Sequence, residues 1–416
     1  MVGAVSGERS SPNANEVRAR SRSLPIPITA LLLLAAAPSP AAPAAPTIPE
    51  PAADEFHFVV LGDTQFDDPA TFNRLVDDVR HLNPAFVIQV GDMIDGYTGA
   101  EAVELEWQRF SNQIAPLDAI PFVPVPGNHD LYGPERRADA ALLSVYERRW
   151  GPAYRSFDYR NARFVVLNSD APGEERSIGP EQWRWLERTL AEFGAEHLFV
   201  FLHRPPLGLD NADALHELLR RHPVRYVFYG HQHHYHYFER DGIRYVMTNA
   251  AADTGVPMPE VGGFDHLLLV SVRDDDVRYA VVNADGIRAP DSADPVDNQA
   301  LFDLSRNLVP RELALEPDGK RRWRLRLSLS NPTERGLTAY LSCRSEDDRW
   351  RFEPAAIPVV ELPPQATRTV TVTAIHAVDG PPETQPRCTV QVPFQTRFGE
   401  WLPFEVETVG VPPLRP

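Results

Sequence analysis

Short apolar runs alternate with helical patterns between residues 56 and 283. The runs are rich in Val, Phe, Ile and Leu and show little alternation, which is typical of strands covered on both faces. They occupy Phe56–Leu61, Phe86–Val90, Phe122–Val125, Phe164–Leu167, His197–Leu202 and Tyr226–Tyr229. Runs separated by helical patterns in this way predict an α/β domain.

Two of the intervening segments carry clear helical spacing. One follows Asp68-Pro69 and the other follows Gly179-Pro180, and both dipeptides are typical of helix starts. Their apolar positions are Phe72, Leu75, Val76, Val79 and Leu82 in the first segment, and Trp183, Leu186, Leu190 and Phe193 in the second. This spacing predicts two amphipathic helices.

The pattern changes after Asn283. Residues 285–298 are polar and contain Pro290 and Pro295, which is typical of a linker. Residues 323–329 then alternate strictly between apolar and polar positions, and residues 367–373 and 388–392 alternate again. Short alternating strands at this spacing predict a β-sandwich of the immunoglobulin-like kind, which would pack on the first domain or present it.

The first fifty residues have the order of an export signal. Arg18, Arg20 and Arg22 precede an apolar run at 24–37 and an Ala/Pro-rich stretch at 38–46. The apolar run is shorter than the ~20 residues that a membrane-spanning helix needs. We therefore expect an exported chain, periplasmic or extracellular, with no transmembrane segment after signal removal. The alternative is a disordered, Pro-rich leader.

These patterns divide the chain into four parts. We predict a signal peptide and Ala/Pro-rich leader at 1–45, the α/β domain at 54–284, a linker at 285–300 and the β-sandwich at 301–416. A length of 416 residues suits two domains with additional segments.

The charge balance excludes one class of partner. The chain has 41 Lys+Arg and 58 Asp+Glu, for a formal net charge of −17. An extended nucleic-acid footprint is not expected, because polyanions need a cationic surface. A small phosphorylated substrate is still compatible with an acidic chain, since a bound cation dominates its own surroundings.

The two cysteines, Cys343 and Cys388, both lie in the C-terminal third. In an exported chain, two cysteines confined to one β-rich segment favour a disulfide. Two buried free thiols are the alternative.

Polar residues suited to metal coordination directly follow all but one of the predicted strands, the exception being Phe164–Leu167. The segments are Gly62-Asp63-Thr64-Gln65, Gly91-Asp92-Met93-Ile94-Asp95, Gly127-Asn128-His129-Asp130, His203 and Gly230-His231-Gln232-His233. Residues just past the carboxyl ends of strands line the ligand-binding crevice of an α/β sheet. A Gly-Asp turn or a single His alone is a weak signal, but five such segments in order predict one site.

This ordered set resembles the calcineurin-like metallophosphoesterases over residues 56–283. The resemblance implies a four-layer α/β fold, with two β-sheets between flanking helices, followed here by the all-β domain. It also implies two divalent metal ions bridged by one carboxylate, and the hydrolysis of phosphate esters.

The resemblance assigns ligands to each ion. The ligands that it implies for the first ion, called the first site below, are Asp63, Gln65, Asp92 and His233. The ligands that it implies for the second ion, called the second site below, are Asp92, Asn128, His203 and His231. Asp92 is the bridge, because its two oxygens can bind separate cations.

The resemblance also identifies His129 as the catalytic histidine, which protonates the leaving oxygen or stabilises phosphate charge. Asp130 is expected to orient the His129 ring. Asn128, His129 and Arg204 are the expected substrate contacts, although Arg204 is equally suited to a surface ion pair. We expect Asp95 to support the site without binding metal, and His234 and His236 to be solvated or structural.

Gln65 departs from the commoner family pattern, which has His at this position. An amide oxygen in place of an imidazole makes the first site harder and weaker. It favours Mn²⁺ or iron over Zn²⁺, so the identity of the metals stays open among these three.

The expected reaction follows from the charges. Two divalent ions less the charges of Asp63 and Asp92 leave about +2, which favours a bridging hydroxide at working pH. We expect this hydroxide to attack phosphorus in line, without a protein nucleophile.

The family's ligand set serves several ester classes. A phosphomonoesterase is our first interpretation; an exported phosphodiesterase or nucleotide pyrophosphohydrolase is the alternative. A nuclease is disfavoured by the acidic balance, since the nearest basic pair is Arg220-Arg221. A non-catalytic, metal-stabilised binding module would need a vestigial site, and His129 argues against it. No sequence feature identifies a protein partner for the C-terminal domain.

Overall fold

The computed structural model describes residues 55–65, 69–192, 194, 196–249, 258–283, 286–345, 349–354, 359–379 and 385–411. The predicted signal peptide and leader lie outside these residues. Residues 51–416 form one compact unit. Within the described part of the chain, none of the helices has the length and apolar character needed to cross a membrane.

Seven α-helices are present in the described residues. They are α1 (Ala70–Leu82), α2 (Ala100–Ile114), α3 (Asn128–Leu131), α4 (Ala140–Trp150), α5 (Pro180–Ala191), α6 (Ala212–Leu219) and α7 (Pro295–Asn307). Both helices that the periodicity predicts are confirmed as α1 and α5. Helix α1 buries Phe72, Leu75, Val76 and Val79, and it ends at Asn83, whose left-handed backbone terminates the helix.

Fourteen strands belong to the first domain. They are β1 (Phe56–Leu61), β2 (Val87–Gln89), β3 (Phe122–Pro124), β4 (Arg155–Tyr159), β5 (Ala162–Val166), β6 (Asp170–Ala171), β7 (Glu174–Glu175), β8 (His197–Phe201), β9 (Val224–Tyr229), β10 (His236–Arg240), β11 (Ile243–Met247), β12 (Leu267–Arg273), β13 (Asp276–Asn283) and β14 (Gly286–Arg288). Each of the six strands predicted from apolar runs is present, with ends shifted by up to two residues.

Twelve of these strands form two mixed sheets. The first sheet has the order β14-β13-β12-β1-β2-β3, and the second has the order β10-β11-β9-β8-β5-β4. Strands β1, β2 and β3 are mutually parallel in the first sheet. Strands β5, β8, β9 and β11 are parallel in the second. The carboxyl ends of the parallel strands therefore gather at one edge of each sheet.

The two sheets pack face to face on an aromatic core. Phe58 of β1 lies 5.4 Å, between ring centroids, from Phe199 of β8, and Phe164 of β5 stacks on Phe199 at 5.2 Å. Helices α1, α2 and α4 cover the outer face of the first sheet, and α5 and α6 cover that of the second. The four-layer arrangement implied by the sequence is confirmed.

The region predicted as a linker contains regular structure. Residues 286–288 form β14 at the edge of the first sheet. Helix α7 begins at Pro295, and its N-cap Asp294 accepts hydrogen bonds from the amides of Val296 and Asp297. Leu301, Leu304 and Leu308 then join the core of the C-terminal domain. Pro295 thus opens a helix, because a first-turn proline has no amide that needs a partner.

The C-terminal domain is built on an eight-stranded β-sheet. Its strands are β15 (Glu312–Pro317), β16 (Arg322–Ser330), β17 (Leu337–Arg344), β18 (Trp350–Glu353), β19 (Val360–Leu362), β20 (Thr367–His376), β21 (Arg387–Gln395) and β22 (Trp401–Val411). They have the order β18-β20-β16-β15-β22-β21-β17-β19. Strand β15 pairs with β16 through residues 315–317 and with β22 through residues 312–314, so it joins two groups of strands.

A disulfide joins Cys343 of β17 to Cys388 of β21. The two residues face each other directly across the antiparallel pair. The sequence was compatible with either a disulfide or two free thiols, and the structure contains the disulfide. The disulfide links β17 to β21. The buried face of β21 contributes Val390, Val392 and Phe394 to the core of the C-terminal domain.

Candidate metal centre

Loops at the carboxyl ends of five strands, from both sheets, carry the predicted ligands. Asp63 and Gln65 follow β1, and Asp92 follows β2, while Asn128 begins α3 shortly after β3. His203 follows β8, and both His231 and His233 follow β9. Backbone hydrogen bonds hold neighbouring loops together, from Asp63 N to Gly91 O at 3.1 Å and from Gly230 N to His203 O at 2.9 Å.

Four ligand residues have the left-handed backbone that side chains other than glycine rarely adopt. Their φ angles are 48° at Asp63, 54° at Asp92, 79° at His231 and 56° at His233. Such conformations cost about 1–3 kcal/mol each and are concentrated at functional sites. The ligand loops therefore adopt unfavourable backbone conformations that place these side chains at the site.

Two glycines allow the ligand loops to approach closely. A Cβ at Gly230 would lie 2.2 Å from Oδ2 of Asp63. A Cβ at Gly91, whose φ is +97°, would lie 2.6 Å from Nδ1 of His203. A side chain at either position would displace a ligand, as the sequence predicts for a sharp turn.

The second site brings its donor atoms together around Nε2 of His203. Nδ1 of His203 donates to the carbonyl of Val90 at 2.9 Å, which leaves Nε2 directed at the site. Nε2 lies 3.1 Å from Oδ2 of Asp92, 3.0 Å from Oδ1 of Asn128 and 3.1 Å from Nδ1 of His231. Asp92, His203 and His231 form a group with the spacing of metal ligands.

The first site brings together Asp63, Asp92 and His233, which form a second such group. Oδ1 of Asp63 lies 3.6 Å from Nε2 of His233, and both Asp63 oxygens accept the amide of His231 at 3.0 Å. Nε2 of Gln65 lies 3.2 Å from Nε2 of His233. The structure therefore brings all seven predicted ligand residues to one place.

Charge at the centre requires a cation opposite Asp92. Burial lowers the pKa of the His203 imidazole, but the charge of Asp92 and the contact with it have the larger combined effect and raise that pKa to about 10. Burial acts to raise the pKa of Asp92, and His203 lowers it below its usual range. Burial raises the pKa of the Asp63 carboxyl. A proton or a metal ion is thus needed between these side chains.

Two buried oxygen atoms of the predicted ligands have hydrogen-bonding capacity that the protein does not fill and that a metal ion could use. Among the described residues, Oε1 of Gln65 has no hydrogen-bond partner, and Oδ2 of Asp92 has only the contact with Nε2 of His203 at 3.1 Å. Buried polar atoms left in this way are costly unless something binds them. The mixed carboxylate, amide and imidazole donors suit Mn²⁺, iron or Zn²⁺. The residues present therefore fit two divalent ions that share Asp92.

His129 lies beside the second site, but Asp130 does not orient its ring. Nδ1 of His129 donates to the carbonyl of Asp95 at 2.6 Å, and Nε2 lies 4.0 Å from Oδ2 of Asp92. The expectation that Asp130 holds this ring is wrong in the structure. Asp130 is the third residue after the N-cap Gly127, so its carboxylate points back along the loop to backbone amides.

The Asp130 carboxylate ties two ligand loops together. It accepts hydrogen bonds from the amides of Gly127 at 2.8 Å, Asp92 at 3.0 Å and Met93 at 2.9 Å. Burial, with the charge of Asp92, raises the pKa of Asp130 to about 7. Asp130 therefore positions the loops that carry Asp92 and Asn128.

Arg204 lies at the second site and is held by a residue that the sequence analysis did not single out. Its Nε donates to Oδ1 of the fully buried Asp170 at 2.6 Å, and its Nη1 lies 2.9 Å from Nε2 of His231. Tyr132 donates to the same Asp170 oxygen at 2.7 Å. Asp170 comes shortly after β5, the strand treated as the exception, so the strand-end rule applied there would have found it.

Tyr97 is a second residue with a contact to the site that the sequence did not indicate. Nδ2 of Asn128 donates to the Tyr97 hydroxyl at 2.8 Å, and the Tyr97 ring packs edge-on against His129 at 4.6 Å between centroids. Arg136 covers the same ring at 4.1 Å. The bond to Tyr97 holds the Asn128 amide in place, with its Oδ1 facing Nε2 of His203.

His236 is buried and structural, which is one of the two roles expected for it. The Tyr229 hydroxyl lies 2.6 Å from its Nε2. His234 is also largely buried, and its Nδ1 donates to the carbonyl of Gln232 at 2.8 Å. The carbonyl of Asp95 supports His129, which agrees with its expected supporting position.

The fold and the site together define a metal-binding α/β domain with donors for two ions that share one carboxylate. Residues 56–235 match the family model described as calcineurin-like phosphoesterase. This part of the chain is therefore similar to members of that family.

Three curated relatives are similar to parts of the chain. The 3′,5′-cyclic adenosine monophosphate phosphodiesterase CpdA of Escherichia coli is 28% identical over 192 residues, which cover 43% of this chain and 66% of the relative. A probable glycerophosphodiester phosphodiesterase GpdQ of Arcobacter nitrofigilis is 25% identical, over 38% of this chain and 58% of the relative. A serine/threonine-protein phosphatase of Bos taurus is 28% identical, over 32% and 44%. The chain thus spans less than two thirds of each relative.

Two solved structures are similar at lower identity. A purple acid phosphatase from yellow lupin seeds has 16% identity and a TM-score of 0.47, over 58% of this chain and 54% of that chain. A dimetal phosphatase from Danio rerio has 18% identity and a TM-score of 0.41, over 57% and 96%.

Proposed function

We propose that this protein is a hydrolase of phosphate esters that works with two divalent metal ions. One observation carries the proposal: Nε2 of His203 meets Oδ2 of Asp92 and Oδ1 of Asn128 within 3.1 Å, at the carboxyl ends of the strands. Such a convergence of acceptor atoms is unfavourable without a cation. When bound, the ions supply Lewis-acid charge that activates water and polarises the phosphoryl group.

His129 supplies the proton for the leaving oxygen. Its Nδ1 is engaged by the carbonyl of Asp95, so Nε2 is the atom that is free to hold or release a proton. The His129 side chain is 24% exposed, whereas the Asp92 and His203 side chains beside it are almost fully buried. Nε2 can therefore reach a substrate that arrives from solvent.

A phosphomonoester is the substrate class that we favour. A monoester carries more negative charge than a diester, so it needs cationic groups beyond the metals. Arg204 is such a group, since its Nη1 lies 2.9 Å from His231 of the second site. The buried carboxylate of Asp170 holds the guanidinium in this position.

A phosphodiester is the second candidate, and the relatives favour it. Two of the three relatives are named phosphodiesterases, for cyclic adenosine monophosphate and for glycerophosphodiesters. The third is named a protein phosphatase, which agrees with a monoester. An exported nucleotide pyrophosphohydrolase would use the same metal centre.

The test is hydrolysis of nitrophenyl monoester and diester substrates by metal-stripped protein. The protein is resupplied separately with Mn²⁺, Fe²⁺ and Zn²⁺, beside His129→Ala and the exposed control Asp210→Asn. We expect metal-dependent turnover that His129→Ala lowers by roughly 100- to 10,000-fold. Faster monoester than diester turnover supports our first candidate, and the reverse supports the second. Absence of turnover with every metal and ester would contradict an enzymatic function.

We also propose that the protein acts outside the cytosol. The basic and apolar order of residues 1–46 supports this. The Cys343–Cys388 disulfide supports it too, because such bonds persist in oxidising compartments. Fractionation of producing cells, with mass spectrometry of the mature N-terminus, tests this: an uncleaved chain in the cytosol would contradict export.

A further inference from the structure

A short loop at residues 133–138 lies beside the second site. It follows Tyr132, whose hydroxyl accepts a hydrogen bond from Nη2 of Arg204 at 3.2 Å. The amide of Tyr97 donates to the carbonyl of Tyr132 at 2.9 Å, and a β-bridge joins Tyr132 to Ala138 at the other end of the loop. The loop is therefore anchored at both ends beside the second site.

Arg136 occupies the tight turn of this loop. Its amide donates to the carbonyl of Gly133 at 2.9 Å, and the amide of Gly133 donates to the carbonyl of Arg137 at 3.0 Å. The φ angle of Arg136 is 54°, in the left-handed region that side chains other than glycine rarely adopt. Such conformations cost folding free energy and are concentrated at functional sites. The turn thus carries an arginine where a glycine would be less strained.

The side chain of Arg136 lies over the ring of Tyr97. Its guanidinium carbon is 4.1 Å from the centroid of this ring, which is the geometry of a cation–π contact. The same ring packs edge-on against His129 at 4.6 Å between centroids, and its hydroxyl accepts a hydrogen bond from Asn128 at 2.8 Å. A single ring therefore links the guanidinium to the proposed proton donor and to a ligand of the second site.

The guanidinium of Arg136 is free to bind an anion. Among the described residues, it makes no hydrogen bond or ion pair with the protein. The side chain is exposed, so a ligand can reach it from solvent. A guanidinium has five N–H donors in a fixed fork that matches a carboxylate or a phosphate group. A second anionic group on a substrate would satisfy these donors.

The acidic residues around this loop are directed elsewhere or balanced. Glu106 accepts the amide of Gly96 at 2.8 Å, and the Asp139 side chain is engaged as the N-cap of α4. Glu135 and Arg137 are exposed neighbours in the loop and carry opposite charges. The loop therefore contributes one net positive charge beside the second site.

We infer that Arg136 binds a second anionic group of the substrate, so that the protein selects phosphate esters whose alcohol carries a carboxylate or a further phosphate. This rests on the proposed phosphoesterase function. The leaving oxygen meets Nε2 of His129, and an alcohol that extends past the Tyr97 ring brings its anionic group to the guanidinium.

The test compares 4-carboxyphenyl phosphate with the neutral methyl ester of its carboxylate, because the two substrates share the leaving oxygen and differ in one charge. The full-length, metal-loaded protein is assayed beside Arg136→Ala. We expect this variant to lower the preference for the carboxylate over the methyl ester, as a ratio of kcat/KM, by roughly 10- to 100-fold. The effect should lie in KM, since Arg136 contacts the anionic group and not the reacting atoms.

Arg160→Ala is the matched control. Arg160 also has a left-handed backbone, with a φ of 53°, and its guanidinium lies 5.9 Å from the centroid of Tyr159. It lies in the turn between β4 and β5, at the opposite end of β5 from the metal centre. Arg160→Ala should therefore retain the wild-type preference.

A binding measurement separates this inference from the proposed function. The analogue 4-(phosphonomethyl)benzoate, which has no ester bond to hydrolyse, is titrated calorimetrically into the Mn²⁺-loaded wild type and Arg136→Ala. Benzylphosphonate, which lacks the carboxylate, is titrated beside it. Weaker binding of the carboxylated analogue alone to Arg136→Ala supports the anion site even where no ester is hydrolysed. The same preference ratio in both proteins, or the same change in affinity for both phosphonates, would overturn the inference.

Discussion

The candidate metal centre of the first domain and the core of the C-terminal domain are built in opposite ways. Around the candidate metal centre, four predicted ligands have left-handed backbones, and the buried Oε1 of Gln65 lacks a partner among the described residues. In the C-terminal domain, β16 buries alternate apolar side chains, and a disulfide joins β17 to β21. The backbone conformations and buried polar atoms of the first region cost folding free energy and serve metal binding. The apolar packing and the disulfide of the second region stabilise the fold.

This difference predicts which property a substitution changes. Substitutions at the metal centre should reduce metal binding and turnover while the metal-free fold persists. Substitutions at the disulfide should reduce stability while turnover persists. The predictions below test this separation, beginning with the largest expected effect.

Asp92→Asn should lower turnover by more than about 1,000-fold, because it removes the charge that both ions share. Asparagine preserves the shape of the side chain, so the thermal midpoint of the metal-free protein should stay close to that of the wild type. Steady-state hydrolysis and calorimetry measure the two effects. An unfolded variant, or one with wild-type turnover, would break the comparison.

Removal of the disulfide by Cys343→Ser with Cys388→Ala should cost about 4 kcal/mol of unfolding free energy, because it releases the loop closed between cysteines that are 45 positions apart in the sequence. Chemical denaturation measures the loss. Turnover per folded molecule should be unchanged, since the disulfide lies in the C-terminal domain. A matching loss of turnover in the folded variant would show that the two regions are coupled.

Tyr97→Phe should weaken metal binding at the second site by roughly 10- to 100-fold, the usual effect of losing a residue that orients a ligand. Without the hydroxyl, the amide of Asn128 can rotate away from His203. Calorimetric titration with Mn²⁺ measures the affinity. Tyr154→Phe, on a tyrosine outside the metal centre, is the matched control, and equal affinities in the two variants would exclude this role for Tyr97.

Acid should destabilise the first domain through His266. Burial lowers the pKa of this histidine to about 4 in the folded protein. As the pH falls below 6.5, the unfolded chain binds a proton that the folded chain does not, so stability falls until about pH 4. Between pH 6.5 and pH 5 the loss is about 2 kcal/mol.

Denaturation at both pH values, with His266→Gln beside the wild type, measures the acid effect. The variant should lose about 2 kcal/mol less than the wild type on the same change of pH. The same pH dependence in both proteins would exclude His266 as the source.

The apolar runs predicted six of the fourteen strands described in the first domain and, with the strand-end rule, the region of the ligands. The apolar run of β1 and the Asp63 motif are local features, so sequence alone reveals them. The positions of Asp130 and Tyr97 depend on contacts between loops, and the sequence gives no pattern for these. Asp170 was missed for another reason, because the rule was not applied after β5.

The C-terminal domain shows the same limit. Strict alternation predicted β16, β20 and β21 from their own residues. Whether Cys343 and Cys388 pair depends on the register between β17 and β21, which is a tertiary property. The start of α7 at Pro295 was interpreted as part of a linker, although proline in the first turn suits a helix.

The most direct test of a shared two-ion centre is a calorimetric titration of metal-stripped wild-type protein and Asp92→Asn with Mn²⁺. We predict two ions per chain for the wild type. The second site should be the tighter one, since Val90 and Tyr97 fix its ligands. In Asp92→Asn, both binding events should weaken together. One ion per chain in the wild type, or a variant that loses only one of two ions, would contradict a centre in which Asp92 bridges both.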